Sequence, residues 1–135
     1  MYPKWHVVLG LVFSFLVFTL SPNIGFTGAA IIFLSSVFID VDHYLTYVFR
    51  KKDFNLKKAF RWHDNNRGRH KIMHFLHSFE FLLVLGILSI YNNFLLYIFT
   101  GFIFHNTLDI IDMHARRMYN REFFFTNWLR EKLRD

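Results

Sequence analysis

No cysteine occurs in the chain. Disulfides and thiolate metal sites are therefore excluded, and any bound metal must be held by His, Asp or Glu. Internal repeats and low-complexity tracts are absent as well. The first apolar run, at 5–20, is not followed by an Ala-x-Ala type cleavage site, and Ser21-Pro22-Asn23 reads as a turn. Lys4 and the short length suit a signal peptide, but three more apolar runs follow, so a retained membrane span is the better reading. Basic charge is missing from two places: neither Ser21-Pro22-Asn23 nor Asn92-Asn93 contains Lys or Arg.

What is present is apolar to an extent unusual for a soluble domain. Hydrophobic residues make up 53% of 135 residues, with 19 Phe. Apolar runs at 5–20, 25–39, 75–91 and 94–111 form two tight hairpins joined by a polar linker. The pattern predicts an all-α, integral membrane four-helix bundle, with residues 1–135 as a single membrane-embedded helical domain. Each run is slightly shorter than the roughly 20 residues that cross about 30 Å of hydrocarbon, so the helices must continue into polar residues. The net charge of +6 raises nucleic acid as a partner, but the basic residues crowd the linker at 50–71 and the tail at 116–134, beside the apolar runs. Membrane orientation explains them better, and no nucleic acid is expected. The positive-inside rule puts the linker and both termini in the cytoplasm, giving a multi-pass protein of the cytoplasmic membrane. Phe123, Phe124, Phe125 and Trp128, mixed with Arg and Lys, suit either an amphipathic tail resting on headgroups or a poorly ordered basic tail.

Ionisable residues within spans cost about 2.5–3.5 kcal/mol each for Asp or Lys on insertion scales, so their placement carries information. His6 falls at the cytoplasmic start of the first span, Asp40, Asp42 and His43 at the cytoplasmic end of the second, and His70, His74 and His77 at the start of the third. His105, Asp109 and Asp112 occupy the cytoplasmic half of the fourth. Alternating chain direction brings all four groups to one depth. Helical spacing gives a stripe of His70, His74 and His77 with Glu80 at its edge, and a second of His105, Asp109 and Asp112 continued by Arg116. Asp40 and His43 share a face; Asp42 points elsewhere and ranks below Asp40 as a ligand. His6 taken alone also suits a hydrogen-bonded packing role, and Asp42, Asp112 and His70 suit span ends paired with the basic linker. His63 and Asp64 fall in the linker and are expected in a solvated loop.

Imidazole and carboxylate donors without thiolates suit Zn, Mn or Fe, and the candidates exceed what one ion uses, so two or three divalent ions are expected. Paired metals serve hydrolysis at phosphorus by lowering the pKa of water towards about 7 and by neutralising charge on phosphoryl oxygens. At headgroup depth the esters within reach belong to lipids, making the bilayer a partner and a phospholipid or lipid-linked phosphate the substrate class. Arg116 and Lys71 are candidates for a phosphate clamp, although membrane anchoring accounts for each equally. His77, His105, Asp109 and Asp40 lead the ligand set, with His6, His43, His70 and His74 as further candidates. Glu80 and Asp112 are candidates for general base or for orienting a ligand.

At these residues the sequence resembles the LexA-binding, inner-membrane-associated family of metal-dependent hydrolases. The family's early His is matched by His6, and its Pro-Asp-x-Asp-His by Ile39-Asp40-Val41-Asp42-His43, with Ile for Pro. Its His-Arg pair followed by Thr-His-Ser is matched by His70-Lys71 and Leu76-His77-Ser78, the two His lying further apart than usual; either His70 or His74 takes the first histidine's place. Its Gly, His and Asp are Gly101, His105 and Asp109. The pattern is also distantly similar to the zinc-dependent phospholipase C and P1 nuclease group. The resemblance implies a phosphoester hydrolase holding clustered zinc. Two readings from other classes stand beside it: a haem-binding electron carrier, which a Soret band would reveal, and a non-catalytic metal or proton relay, which flux in proteoliposomes would reveal.

Overall fold

A computed structural model of the chain describes residues 3–66, 72–117 and 121–134. The first apolar run becomes α1 (Pro3–Leu20), and a 3-10 turn at Pro22–Ile24 leads into α2 (Gly25–Phe38). Gly25 takes φ 65°, a conformation that side-chain-bearing residues rarely adopt, and so lets the chain reverse within a few residues. The second hairpin joins α5 (Phe79–Ser89) to α6 (Asn93–Ala115). Asn92 caps α6 there, its Oδ1 accepting from Phe94 N at 2.8 Å. Between the hairpins lie α3 (Val41–Lys51) and α4 (Leu56–Asn66), and α7 (Phe125–Lys132) closes the order. Apart from a two-residue parallel pairing of β1 (Ile72–Met73) with β2 (Arg121–Glu122), the described structure is helical.

The third element departs from expectation. A helix running from the histidines into Phe75 is not formed: His74 is extended, Phe75–His77 make a 3-10 turn, and α5 starts only at Phe79. The cause is a contact 34 residues away in sequence. Asp42 Oδ2 accepts from Leu76 N at 2.6 Å, which fixes the turn, and Ser78 then caps α5 by accepting from Phe81 N at 3.3 Å. His74 and His77 therefore do not share a helical stripe, and His70 lies outside the described residues.

The linker is more ordered than a solvated loop. Lys52, at φ 53°, ends α3, and Asp53 accepts from Asn55 N at 2.9 Å and from Lys58 Nζ at 2.9 Å, turning α4 back onto α3. Tyr44 OH donates to Phe54 O at 2.8 Å, and Ala59 is buried at the crossing. Lys58 first, and then the Asn55 N–H, hold the Asp53 carboxyl below its ordinary pKa. A depressed carboxylate stabilises the fold above its unfolded pKa, and that contribution is lost as pH falls through the lower folded value. Protection factors of α4 amides, taken relative to the intrinsic exchange rate at each pH, should accordingly fall on acidification through that window, and Asp53→Asn should show the lowered protection at neutral pH as well.

α6 packs on α2, α1 also packs on α2, and α5 packs on α6. Gly101 makes the α2–α6 crossing close: a Cβ there would strike Ser35 Oγ and the α2 backbone at Ile32 and Ser36. Small residues at such crossings let backbones approach in membrane helices. Gly101→Val should cost at least the about 1–3 kcal/mol typical of overpacking, visible as a lower melting temperature in detergent.

Beside a buried apolar cluster of Ile39, Leu82, Leu85 and Phe102, much of the interior is polar. Of the most deeply buried larger side chains, Ile32, Ile39, His77, His105, Ser36 and Ser78, only the two isoleucines are hydrophobic. Leu11, Phe15, Leu83, Val84, Ile87 and Ile111 are exposed instead. Two helical stretches, Pro22–Lys51 and Asn93–Ala115, are long and apolar enough to cross a membrane. α1 and α5 are apolar but shorter; the 11 residues of α5 rise only about 17 Å.

Candidate metal centre

His105 is the centre of the site and is fully buried. The close α2–α6 crossing brings its Nδ1 to 2.7 Å from Ser36 O. That carbonyl is available because the end of α2 tightens: Asp40 N bonds Val37 O rather than the carbonyl four residues back. Donation by Nδ1–H leaves the lone pair on Nε2, the tautomer a metal ligand needs. Nε2 faces Asp40 Oδ1 at 3.4 Å and Asp109 Oδ2 at 3.6 Å, yet makes no hydrogen bond. His6, from α1, stacks on His105 with ring centroids 4.0 Å apart and directs Nε2 to Asp109 Oδ1 at 3.1 Å. Its Nδ1 is likewise buried without a hydrogen-bond partner.

His6, His105 and Asp109 form one triad of converging donors, and Asp40, His77 and His105 a second, the donor atoms of each lying within 4.8 Å of one another. Donors at about 2.0–2.2 Å from one tetrahedral ion sit about 3.3 Å apart. The separations of 3.1, 3.4 and 3.6 Å match that spacing. Buried His and Asp groupings of this kind can hold a metal ion, and the orphaned Nε2 of His105 is what an ion would satisfy.

Asp42 is buried and spans two jobs. Besides fixing the turn at Leu76, its Oδ2 lies 3.6 Å from His77 Nδ1, placing a carboxylate charge behind that imidazole. His43, one turn from Asp40, approaches Asp40 Oδ1 at 3.4 Å and stacks on His74 at 3.8 Å between centroids. Thr46 Oγ1 donates to Asp42 O at 2.8 Å and so receives His74 Nδ1–H, 3.4 Å away. His77 links the two groups, its ring 5.3 Å from His105 and 5.0 Å from His43.

The structure brings together His6, Asp40, His43, His74, His77, His105 and Asp109, and separates from them three other candidates. Glu80 accepts from Phe125 N at 3.0 Å, Thr126 N at 3.1 Å and Thr126 Oγ1 at 2.8 Å, capping α7. It is engaged in docking the tail, not placed among the donors, because α5 begins too late for Glu80 to sit one turn from His77. Asp112 lies beyond Asp109 along α6 and pairs with Arg116 Nε at 2.9 Å; neither belongs to a triad. Lys71 and His70 lie outside the described residues. His63 was expected in solvent, yet α4 carries it against the site, Nε2 2.7 Å from His43 O. Its signal was present in the sequence: Ala59, Trp62, His63 and Asn66 share the face of α4 that turns inward.

Comparison of the chain with protein-family models, curated proteins and solved structures gives no match.

Proposed function

We propose that this chain is a membrane-embedded, metal-dependent hydrolase that cleaves a phosphoester of a lipid or lipid-linked substrate at the cytoplasmic interface. The observation that carries the reading is the convergence on His105 of donors from α1, the α2–α3 junction, the Phe75–His77 turn and α6. Buried, oriented and mutually close groups of this kind are costly beside lipid unless they are used.

The four apolar helices form the bundle, with α1 and α5 completing their spans through adjoining polar residues. Both ends of the chain and the linker face the cytoplasm. The outward apolar surface of α1, α5 and α6 supports this arrangement, as do hydroxyls that satisfy themselves within their own helices, such as Ser14 Oγ on Leu11 O at 3.0 Å and Ser89 Oγ on Gly86 O at 2.7 Å. α7 lies as an interfacial helix, pinned by Glu80. The motif resemblance to LexA-binding, inner-membrane-associated hydrolases supports the same reading.

His105 has one lone pair, since Ser36 holds its other nitrogen, and therefore serves a single ion. Asp109 divides its two oxygens between His6 and His105, and Asp40 Oδ1 lies 3.4 Å from both His105 Nε2 and His43 Nδ1, so Asp109, Asp40, His6, His77 and His105 would hold the metal. Two divalent ions, Zn before Mn or Fe given the donors, would lower the pKa of water towards about 7 and neutralise phosphoryl charge when bound. Asp42 faces His77, and Arg116, paired with Asp112 outside the donor triads, is the cation assigned to the phosphate in this reading.

Detergent-purified protein should retain metal through gel filtration and release phosphate or a headgroup from one class within a lipid panel. Loss of neither metal nor activity in Asp109→Asn would remove the basis for the assignment.

A further inference from the structure

α3 is amphipathic in the reverse sense from a helix packed on a soluble core. Its inward face carries Asp42, His43 and Thr46, whose contacts run to Leu76 and His74. Its outward face carries Val41, Leu45 and Phe49, spaced four residues apart and all exposed, Phe49 at 70%. Leu34 and Phe38 precede them at the same helical spacing and are exposed too, so one apolar stripe runs from α2 onto α3. At the turn into α4, Phe54 follows at 77% exposure. Such a stripe needs an apolar solvent or a partner. Length decides which. The stretch Pro22–Lys51 has 30 residues and rises about 45 Å, against about 30 Å of hydrocarbon and about 40–45 Å for a bilayer with its headgroups. α2 takes up the hydrocarbon, and α3 falls in the headgroup layer.

Charge selects the lipid. Arg50, Lys51, Lys52, Lys57, Lys58 and Arg61 are all exposed around the turn between α3 and α4. Against them stand Asp42, buried and bonded to Leu76 N, and Asp53, which holds Lys58. Lys51, Lys58 and Arg61 also line a cleft of about 430 Å³ between α3 and α4, beside Tyr47 and Trp62. Asp53 offsets one of the three cations, and two positive charges remain for an anion. Basic residues flanking the apolar face of an amphipathic helix bind anionic lipid. We propose that the α3–α4 hairpin docks on anionic phospholipid of the leaflet it faces, with Val41, Leu45, Phe49 and Phe54 against acyl chains and Lys51, Lys57 and Arg61 at headgroup phosphates. The linker thereby belongs to the lipid-contacting surface. Because α3 also carries Asp42 and His43 inward, docking it sets the site at headgroup depth. The inference rests on the membrane reading above and adds to it a docking element and a lipid class.

The test uses the full chain in lipid discs of phosphatidylcholine alone, or of equal parts phosphatidylcholine and phosphatidylglycerol. Because the protein has no cysteine, a nitroxide enters through the single substitutions Leu45→Cys, Phe54→Cys and, on the exposed face of α5, Leu83→Cys. Collision with oxygen, which concentrates among acyl chains, is compared with collision with a neutral, water-soluble nickel chelate. Labels at Leu45 and Leu83 should both favour oxygen. At Phe54, nickel collision should fall several-fold when phosphatidylglycerol is present, and Lys51→Gln combined with Arg61→Gln should abolish that fall. Nickel-dominated collision at Leu45 overturns the proposal. So does a Leu45 label shielded from both reagents, which would mean that a second protein chain covers α3. Equal nickel collision at Phe54 in the two lipid mixtures overturns the anionic selectivity. If Leu45 fails while Leu83 favours oxygen, only the hairpin's docking fails; if Leu83 favours nickel as well, the membrane reading fails with it.

Discussion

If the proposed reading holds, His105→Gln should remove most metal binding and any hydrolysis, the largest effect expected of any single substitution. His105 is the one donor common to both triads, and its replacement leaves Asp40 and Asp109 facing each other across a buried gap with no imidazole between them. Loss of an outer partner of a ligand typically weakens metal binding about 10–100-fold, and loss of the ligand itself should exceed that. Glutamine approximates the length of the side chain and can still donate to Ser36 O, so the α2–α6 crossing should survive. Equilibrium dialysis against zinc gives the affinity, and circular dichroism checks that helicity is unchanged. Retention of wild-type affinity would mean that the buried nitrogen has some other purpose.

Asp42→Asn should have the next largest effect, through a residue that is absent from both triads. The amide oxygen can still accept from Leu76 N, so the Phe75–His77 turn stays formed, but the negative charge facing His77 Nδ1 is gone. Carboxylates behind a ligating imidazole fix its orientation and raise its basicity, and their removal costs about 10–100-fold in metal affinity. A drop in that range, with helicity and melting of the metal-depleted protein close to wild type, is the expected pattern. If melting falls sharply while the metal affinity of the folded fraction is unchanged, Asp42 serves the turn alone.

Much of this arrangement was readable from the chain. Apolar runs located α1, α2, α5 and α6, and the alternating chain direction of two hairpins was enough to place His6, Asp40, His105 and Asp109 near one another. Periodicity gave Asp109 one turn from His105, and the structure has them on one face of α6. The rest depends on contacts between distant residues, which local pattern does not encode. The break before α5 follows from Asp42 reaching Leu76, and Glu80 is drawn away from the donors by α7, 45 residues further on. His63 shows a different failure. Its helix has a weak apolar face of Ala59 and Trp62, and the many Lys and Arg around it read as linker until the inward face is separated from the outward one.

The same long-range contacts give the site its supports. Asp42, Ser36 and Thr46 each hold a histidine by one ring nitrogen or face it closely, so His77, His105 and His74 are oriented by groups outside the donor set. The interior thus joins an apolar cluster of Ile39, Leu82, Leu85 and Phe102 to a polar one centred on His105. Close packing at Gly101 holds the two together.

Metal stoichiometry by elemental analysis, on detergent-purified wild type beside His105→Gln and Asp109→Asn, tests the central claim most directly. Two or more zinc equivalents per wild-type chain, falling in both variants, is the predicted result. Wild type that emerges from gel filtration without metal, and takes up none on titration, would contradict it.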